Sequence, residues 1–187
     1  GKDTVMTELF KKIPELLFSI SSITRAMRAG EREGEKYNFI TREKFEDMLK
    51  NDRLLEHNEF VGNYYGTPRE PVERAVANGQ DMVIEVDVNG AAQIREKMPE
   101  AVSIFIMPPS FAELKRRLSG RGTESEELIQ KRLTSALGEI KRAVEYDYIV
   151  VNKDIAAAAD DIMSVILSSR LKTDRQTKII DEVLSEC

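Results

Sequence analysis

DMVIEVDVNGAAQIREKMPEAVSIFIMPPS, residues 81–110, decides the fold. It opens on an apolar run at 81–87 that ends in acid, as expected of a buried parallel strand whose carboxyl end faces a site. Residues 90–97 carry the spacing of a helix with Asn89 as its expected N-cap, and residues 102–107 form a second apolar strand. Ser110 is placed to cap the helix that follows, which runs to about Gly120. Strand, helix and strand at this spacing require a crossover, and such crossovers are right-handed and join parallel strands.

The alternation extends both ways. Upstream, residues 4–13 place Val5, Leu9 and Ile13 on one helical stripe, and residues 16–21 make a short apolar strand. Downstream, an amphipathic helix at 126–145, a strand at 148–151 and two helices at 155–171 and 173–185 complete the pattern. The expected class is α/β, a mostly parallel sheet with helices on both faces. Between the first strand and residue 81 lies a smaller strand-rich lobe. It is expected to hold a strand at 36–40, a helix at 42–50, a strand at 54–60, the turn GNYYGTP at 62–68 and a helix at 70–77.

The composition narrows the function. With 187 residues, 41% of them hydrophobic and 33% charged, the chain can bury a core and is not a low-complexity sequence. No apolar run reaches the roughly 18 residues of a membrane span and no signal peptide opens the chain, so a cytoplasmic protein is expected. One cysteine, Cys187, excludes an internal disulfide, and one histidine, His57, excludes a histidine-based metal centre. His57 reads as a packing or surface residue. A net charge of -5 argues against general affinity for nucleic acid or anionic lipid. Phosphate would therefore be met by local clusters of arginine and lysine.

Four clusters fit that chemistry. Gly1-Lys2-Asp3-Thr4 runs straight into a helix, and amide N–H groups at a helix start, with a mobile lysine, attract phosphate. The strand and first glycine that would precede such a loop are expected upstream of Gly1. Arg25 and Arg28, three residues apart and followed by Tyr37, suit a bidentate grip on a phosphate, with a solvated basic loop as the alternative. Tyr64 and Tyr65 lie between two glycines, one expected in a site (Tyr65) and the other partly structural.

Glu56 sits among apolar neighbours in LLEHNEF, where it could accept paired hydrogen bonds from a base edge with two donors, or be an exposed strand carboxylate. Glu85 and Asp87, two apart on the expected strand, would share a face; Asp87 could instead close the strand as a turn residue. RRLSGRGTES at 116–125, with Lys131 and Arg132 beyond it, offers arginines that could converge on a transferring phosphoryl group.

Taken together, SISSITRAMRAGEREGEKYNF, GNYYGTP, VIEVDVNGAAQIR, IFIMPPS, RLSGRGTES and DYIVVN occur in the order and spacing of guanylate kinases, and from Gly1 to about Leu171 the chain resembles that family. The last helix resembles the C-terminal extension of bacterial members. The resemblance implies a P-loop nucleoside monophosphate kinase fold: core at 1–22, 80–119 and 136–187, a GMP-binding lobe at 23–79 and a lid at 120–135. It implies phosphoryl transfer from ATP to GMP or dGMP, in purine nucleotide metabolism, with Mg²⁺ held by ATP phosphates and water and by no direct protein ligand.

The family's GMP-phosphate ligands fall on Arg25, Arg28, Tyr37 and Tyr65, and its guanine contacts on Ser21, Glu56, Thr67 and Asp87. Its ATP contacts fall on Gly1, Lys2, Asp3, Thr4, Arg121 and Arg132, and its catalytic cations on Lys2, Arg25, Arg117, Arg121 and Arg132. Two positions depart from the pattern: Asp3 stands where a P-loop carries Ser or Thr, and Ile23 replaces the first threonine of the family's TTR. The implied partners are small molecules, with no nucleic acid or membrane, and the enzyme would be a monomer or homodimer. The rival reading is an inactive guanylate-kinase-like module that binds phosphorylated peptides.

Overall fold

In a computed structural model, residues 1–119 and 126–186 are described. They form two units, Glu15–Ala101 and Gly1–Pro14 with Val102–Cys187.

The second of these brings the chain's start onto its C-terminal half. Helix α1 (Lys2–Lys12) buries Val5, Met6 and Leu9, and packs against α7 (Ile155–Arg170), whose Ala158 and Ala159 are fully buried. Small side chains there let two helices approach, and Lys12 closes the contact on Asp160 at 2.8 Å. Strands β7 (Ile104–Met107) and β8 (Tyr148–Val151) pair in parallel over four residues, as the crossover rule requires. Helices α5 (Phe111–Ser119) and α6 (Glu126–Lys141) pack on each other, and the Ser110 hydroxyl accepts from Glu113 N–H to cap α5. The helix expected at 126–145 stops at Lys141 and tightens into a 3₁₀ turn, Arg142–Glu145. A last helix, α8 (Thr177–Ser185), is largely exposed.

In Glu15–Ala101, the apolar stretch 16–21 divides into two strands that belong to different sheets. Strand β1 (Leu17–Phe18) pairs in parallel with β6 (Met82–Val83), whereas β2 (Ser21–Ile23) joins a four-stranded sheet. That sheet runs β3 (Tyr37–Phe39), β2, β5 (Asn63–Pro68), β4 (Leu54–Phe60). Helices α2 (Arg42–Lys50), α3 (Arg69–Ala77) and α4 (Val88–Lys97) complete the unit. Its core gathers Leu55, Val72, Ile94 and Met98, with Met82, Ile84 and Val86 packed around them.

Two expectations from the sequence are corrected. All of GNYYGTP after Gly62 is a strand, β5, hydrogen-bonded to β2 on one side and β4 on the other; the turn is only Val61-Gly62. Glycine and tyrosine pairs suggested a loop, but pairing on both edges overrides local propensity. The strand at 81–87 ends at Val83, and Asp87 accepts from the N–H groups of Asn89 and Gly90, so Asp87, not Asn89, caps α4. Glu85 and Asp87 therefore do not share a strand face.

The hairpin tip carries strain. Phe60 faces Asn63, leaving Val61 and Gly62 as a two-residue loop with φ of 50° and 72°. Positive φ at both central residues is the type I′ geometry, which favours Asn-Gly and disfavours a β-branched residue. Val61 is 79% exposed and gains no packing in return. Val61→Asn is expected to raise stability by about 1 kcal/mol, read as a shifted urea midpoint at unchanged slope.

Candidate active site

Residues 24–36, which join β2 to β3, are tied by carboxylates rather than by apolar packing. Glu31 takes the Arg25 guanidinium end-on, with Nη1 donating to Oε2 at 2.7 Å and Nη2 to Oε1 at 2.6 Å. Its Oε2 also accepts the Arg28 backbone N–H at 2.8 Å, and Glu33 accepts the Phe39 N–H at 3.0 Å. The Arg25 guanidinium lies 5.4 Å from the Tyr37 ring centroid and 5.7 Å from that of Phe39, within cation–π range. Arg25, and then the Arg28 N–H, hold the Glu31 carboxyl at about 2. In return Glu31 first, with the Tyr65 hydroxyl adding, holds the Arg25 proton more firmly than usual.

Sheet register assembles the rest. Ser21 lies opposite Tyr37 and Ile23 opposite Tyr65, so three neighbouring strands bring Ser21, Tyr37 and Tyr65 to the root of the arginine loop. Arg28 itself is exposed. Tyr64 is a packing residue: it stacks on Phe45 with centroids 5.2 Å apart, and its hydroxyl accepts from Arg42 at 2.6 Å.

The acidic group lies on β4, β5 and the start of α4. Glu56 is 6% exposed, which sets aside the exposed strand carboxylate as its alternative. Register places it opposite Thr67, whose fully buried hydroxyl donates to Glu56 Oε1 at 2.6 Å. Burial pushes the Glu56 carboxyl up; the Thr67 hydroxyl opposes this and the charge of Asp87 adds to it. Asp87 caps α4 with Oδ1 and accepts from Asn58 through Oδ2 at 2.8 Å. Gly90 is required by close approach, since a Cβ there would stand 2.9 Å from Glu56 Oε2 and 3.0 Å from Val86 Cβ. Gln93 fixes α4 to β4, accepting from the His57 N–H and donating to its carbonyl.

In the other unit, the first turn of α1 carries Gly1, Lys2, Asp3 and Thr4. A Cβ on Gly1 would lie 2.8 Å from Asn152 Nδ2 and 3.6 Å from Arg117 Nη1, which brings this turn, the end of β8 and α5 together. Arg117 donates through Nε to Glu113 Oε1 at 2.6 Å and through Nη2 to the Asn152 carbonyl at 3.1 Å. Arg116 and Arg117 hold the Glu113 carboxyl at about 2. Asn152 is 4% exposed, and its Oδ1 has no hydrogen-bond partner among the described residues. Arg132 lies on α6; Arg121 lies outside the described residues. No group of three or more His, Cys, Asp or Glu among the described residues is arranged to hold a metal ion.

Sequence reasoning named the arginines and the acids Glu56 and Asp87 but missed the residues that hold or pack against them: Glu31, Asn58, Gly90, Gln93, Glu113 and Asn152. The signal for Glu31 and Glu113 was available, since each is an acid three to six residues from an arginine expected to bind phosphate. Gly90 and Gln93 depend on the packing of α4 against β4, which local sequence does not encode.

The model of the guanylate kinase family matches residues 1–169. A guanylate kinase of Desulfitobacterium hafniense is 44% identical over 183 residues, covering 98% of this chain and 92% of the relative. That of Escherichia coli is 45% identical over 188 residues, covering 100% and 91%. A crystal structure of guanylate kinase from Anaplasma phagocytophilum superposes with a TM-score of 0.77 at 39% identity, covering 92% of this chain and 84% of that one.

The raised Glu56 carboxyl has a thermodynamic signature. The folded state binds the proton more tightly than the unfolded one, so this group's contribution is full below the unfolded value near 4.3 and is lost as pH rises through the folded value. Glu56→Gln keeps an acceptor for Thr67 without the buried charge. The variant is expected to melt with the parent at pH 4 and above it at pH 7, in parallel thermal scans.

Proposed function

The chain belongs to the guanylate kinase family, and we propose which of its residues perform the family's reaction. The enzyme is a nucleoside monophosphate kinase of the α/β P-loop class that transfers the γ-phosphoryl group of ATP to GMP, giving ADP and GDP. We assign guanine recognition to Glu56, with Asp87, Ser21 and Thr67. The observation that carries this is the buried carboxylate itself: Glu56 Oε1 is already held by Thr67 at 2.6 Å, so its remaining lone pairs are aimed before the base arrives. A carboxylate with no donors of its own matches the N1–H and exocyclic amine of guanine and repels the acceptor N1 of adenine.

The GMP phosphate is assigned to Arg25, Arg28, Tyr37 and Tyr65, and the triphosphate to the first turn of α1, where amide N–H groups and Lys2 supply positive potential. Arg117, Arg132 and Arg121 would stabilise charge on the transferring group. A GMP phosphate oxygen attacks the γ-phosphorus in line, with no covalent intermediate, so positioning and cationic charge supply the acceleration. Mg²⁺ would come with ATP and would neutralise phosphate charge; Asp3 and Thr4 are the first-turn oxygen donors that would face its water shell. On the same reading residues 23–79 are the GMP-binding lobe, 120–135 the lid and the remainder the core. None of the helices among the described residues is long and apolar enough to cross a membrane, and we place the enzyme in the cytoplasm.

A coupled ADP-release assay offering GMP, dGMP, AMP and UMP with MgATP tests the assignment. Turnover is expected with GMP and dGMP alone; GMP binding without turnover would return the phosphopeptide-binding module. Arg132→Ala is expected to lower kcat by about 10²-fold or more with GMP KM nearly unchanged. Glu56→Gln is expected to raise GMP KM by about tenfold or more and to erode the preference over AMP. In the parent, GMP KM should rise as pH falls through the elevated Glu56 value, because protonation removes an acceptor.

A further inference from the structure

Glu31 is not explained by the assignments above. It is an anion placed among cations meant for another anion, and on charge alone it should weaken phosphate binding. Its geometry indicates what it supplies instead. Arg25 Nη1 spends both hydrogens, on Glu31 Oε2 at 2.7 Å and on the Ala26 carbonyl at 3.0 Å, and Nη2 spends one on Glu31 Oε1 at 2.6 Å. The Nε–H is buried and has no hydrogen-bond partner among the described residues. A guanidinium is a rigid planar fork, so fixing its tip fixes the direction of its side edge, formed by Nε and the second Nη2 hydrogen. The Tyr37 and Phe39 rings flank the same group at 5.4 and 5.7 Å and limit its rotation. The Glu31 carboxylate also holds the Arg28 N–H, so one residue sets the spacing of both arginines.

We propose that Glu31 is a positioning residue that turns Arg25 so that its Nε/Nη2 edge, rather than its tip, meets the phosphate of GMP. The inference rests on the assignment of Arg25 to that phosphate. It differs from a placeholder role, in which Glu31 occupies the guanidinium until the phosphate displaces it. A positioning carboxylate stays bound to the tip while the phosphate takes the edge, and its loss weakens binding. Loss of a placeholder strengthens it.

The test is a double-mutant cycle of Glu31→Gln and Arg25→Lys, read by steady-state kinetics and by calorimetry with GMP and with guanosine. Glu31→Gln is expected to raise GMP KM about tenfold, since an amide donor now faces the guanidinium tip, with kcat and ATP KM within about threefold of the parent. Guanosine, which lacks the phosphate, is expected to bind parent and variant alike. In the Arg25→Lys background the same substitution should change GMP KM by less than about twofold, because lysine has no fork to turn. Glu31→Asp, which restores the charge, is expected to recover part of the loss. Additive effects of the two substitutions, an equal loss of guanosine affinity, or tighter GMP binding by Glu31→Gln would each overturn the proposal. If Arg25→Lys leaves GMP KM unchanged, the assignment of Arg25 fails and the proposal with it. Should Glu31→Gln not fold, Glu31→Asp against Arg25→Lys runs the same cycle, and additivity there is equally fatal.

Discussion

The buried carboxylate of Glu56 is the constraint around which residues 15–101 are arranged. A charged group 6% exposed is costly unless it is hydrogen-bonded, and Thr67 supplies the bond only because β4 and β5 pair with these two residues opposite each other. A slip of one residue in that register would turn Glu56 to the other face and leave the Thr67 hydroxyl without its acceptor. The approach of α4 depends on the same carboxylate: Gly90 leaves room for Oε2, and the Gln93 pair with the His57 backbone holds the helix against the strand. Asp87, which adds to the electrostatic cost at Glu56, is retained there by its roles as the cap of α4 and partner of Asn58.

The arginines of the two units follow one pattern. Arg25 is held by Glu31, and Arg117 is held by Glu113 together with the Asn152 carbonyl. An exposed arginine has several rotatable bonds and loses that freedom when it grips a ligand, so ordering it in advance lowers the entropic cost of binding. The partner acid reduces the attraction for phosphate but leaves part of the fork open. A net charge of -5 is compatible with binding polyphosphates for this reason: the potential that matters is local and directed.

Much of the fold was legible because hydrophobic period and chain punctuation agree. The helix at 42–50, the strand at 54–60 and the strand at 148–151 fall where their patterns place them, and the parallel pairing of β7 and β8 follows from the helices between them. The misreadings have two causes. GNYYGTP has the composition of a loop and the pairing of a central strand, so strands distant in sequence decided its outcome. Residues 84–87 have the composition of a strand, but Asp87 is drawn into capping α4 by N–H groups only two and three residues on. The site divides the same way: charged and aromatic residues announced themselves by type, whereas the burial of Glu56 and the need for glycine at 90 exist only once β4, β5 and α4 have met.

Buried polar atoms without protein partners mark where that assembled structure can still take a hydrogen bond. Among the described residues, Arg25 Nε and Asn152 Oδ1 are both buried without a protein hydrogen-bond partner, one a donor in the arginine loop and the other an acceptor beside the first turn of α1. Leaving such an atom unpaired costs about 1–3 kcal/mol, a penalty that a folded chain bears only where packing elsewhere over-determines the geometry. Ser19 Oγ likewise has no hydrogen-bond partner among the described residues, and nothing in the structure explains it. A ligand that satisfies Arg25 Nε recovers the penalty as binding energy, while one that lacks the matching acceptor leaves it in place. The selectivity available at such an atom is therefore set by whether the ligand places an acceptor opposite it.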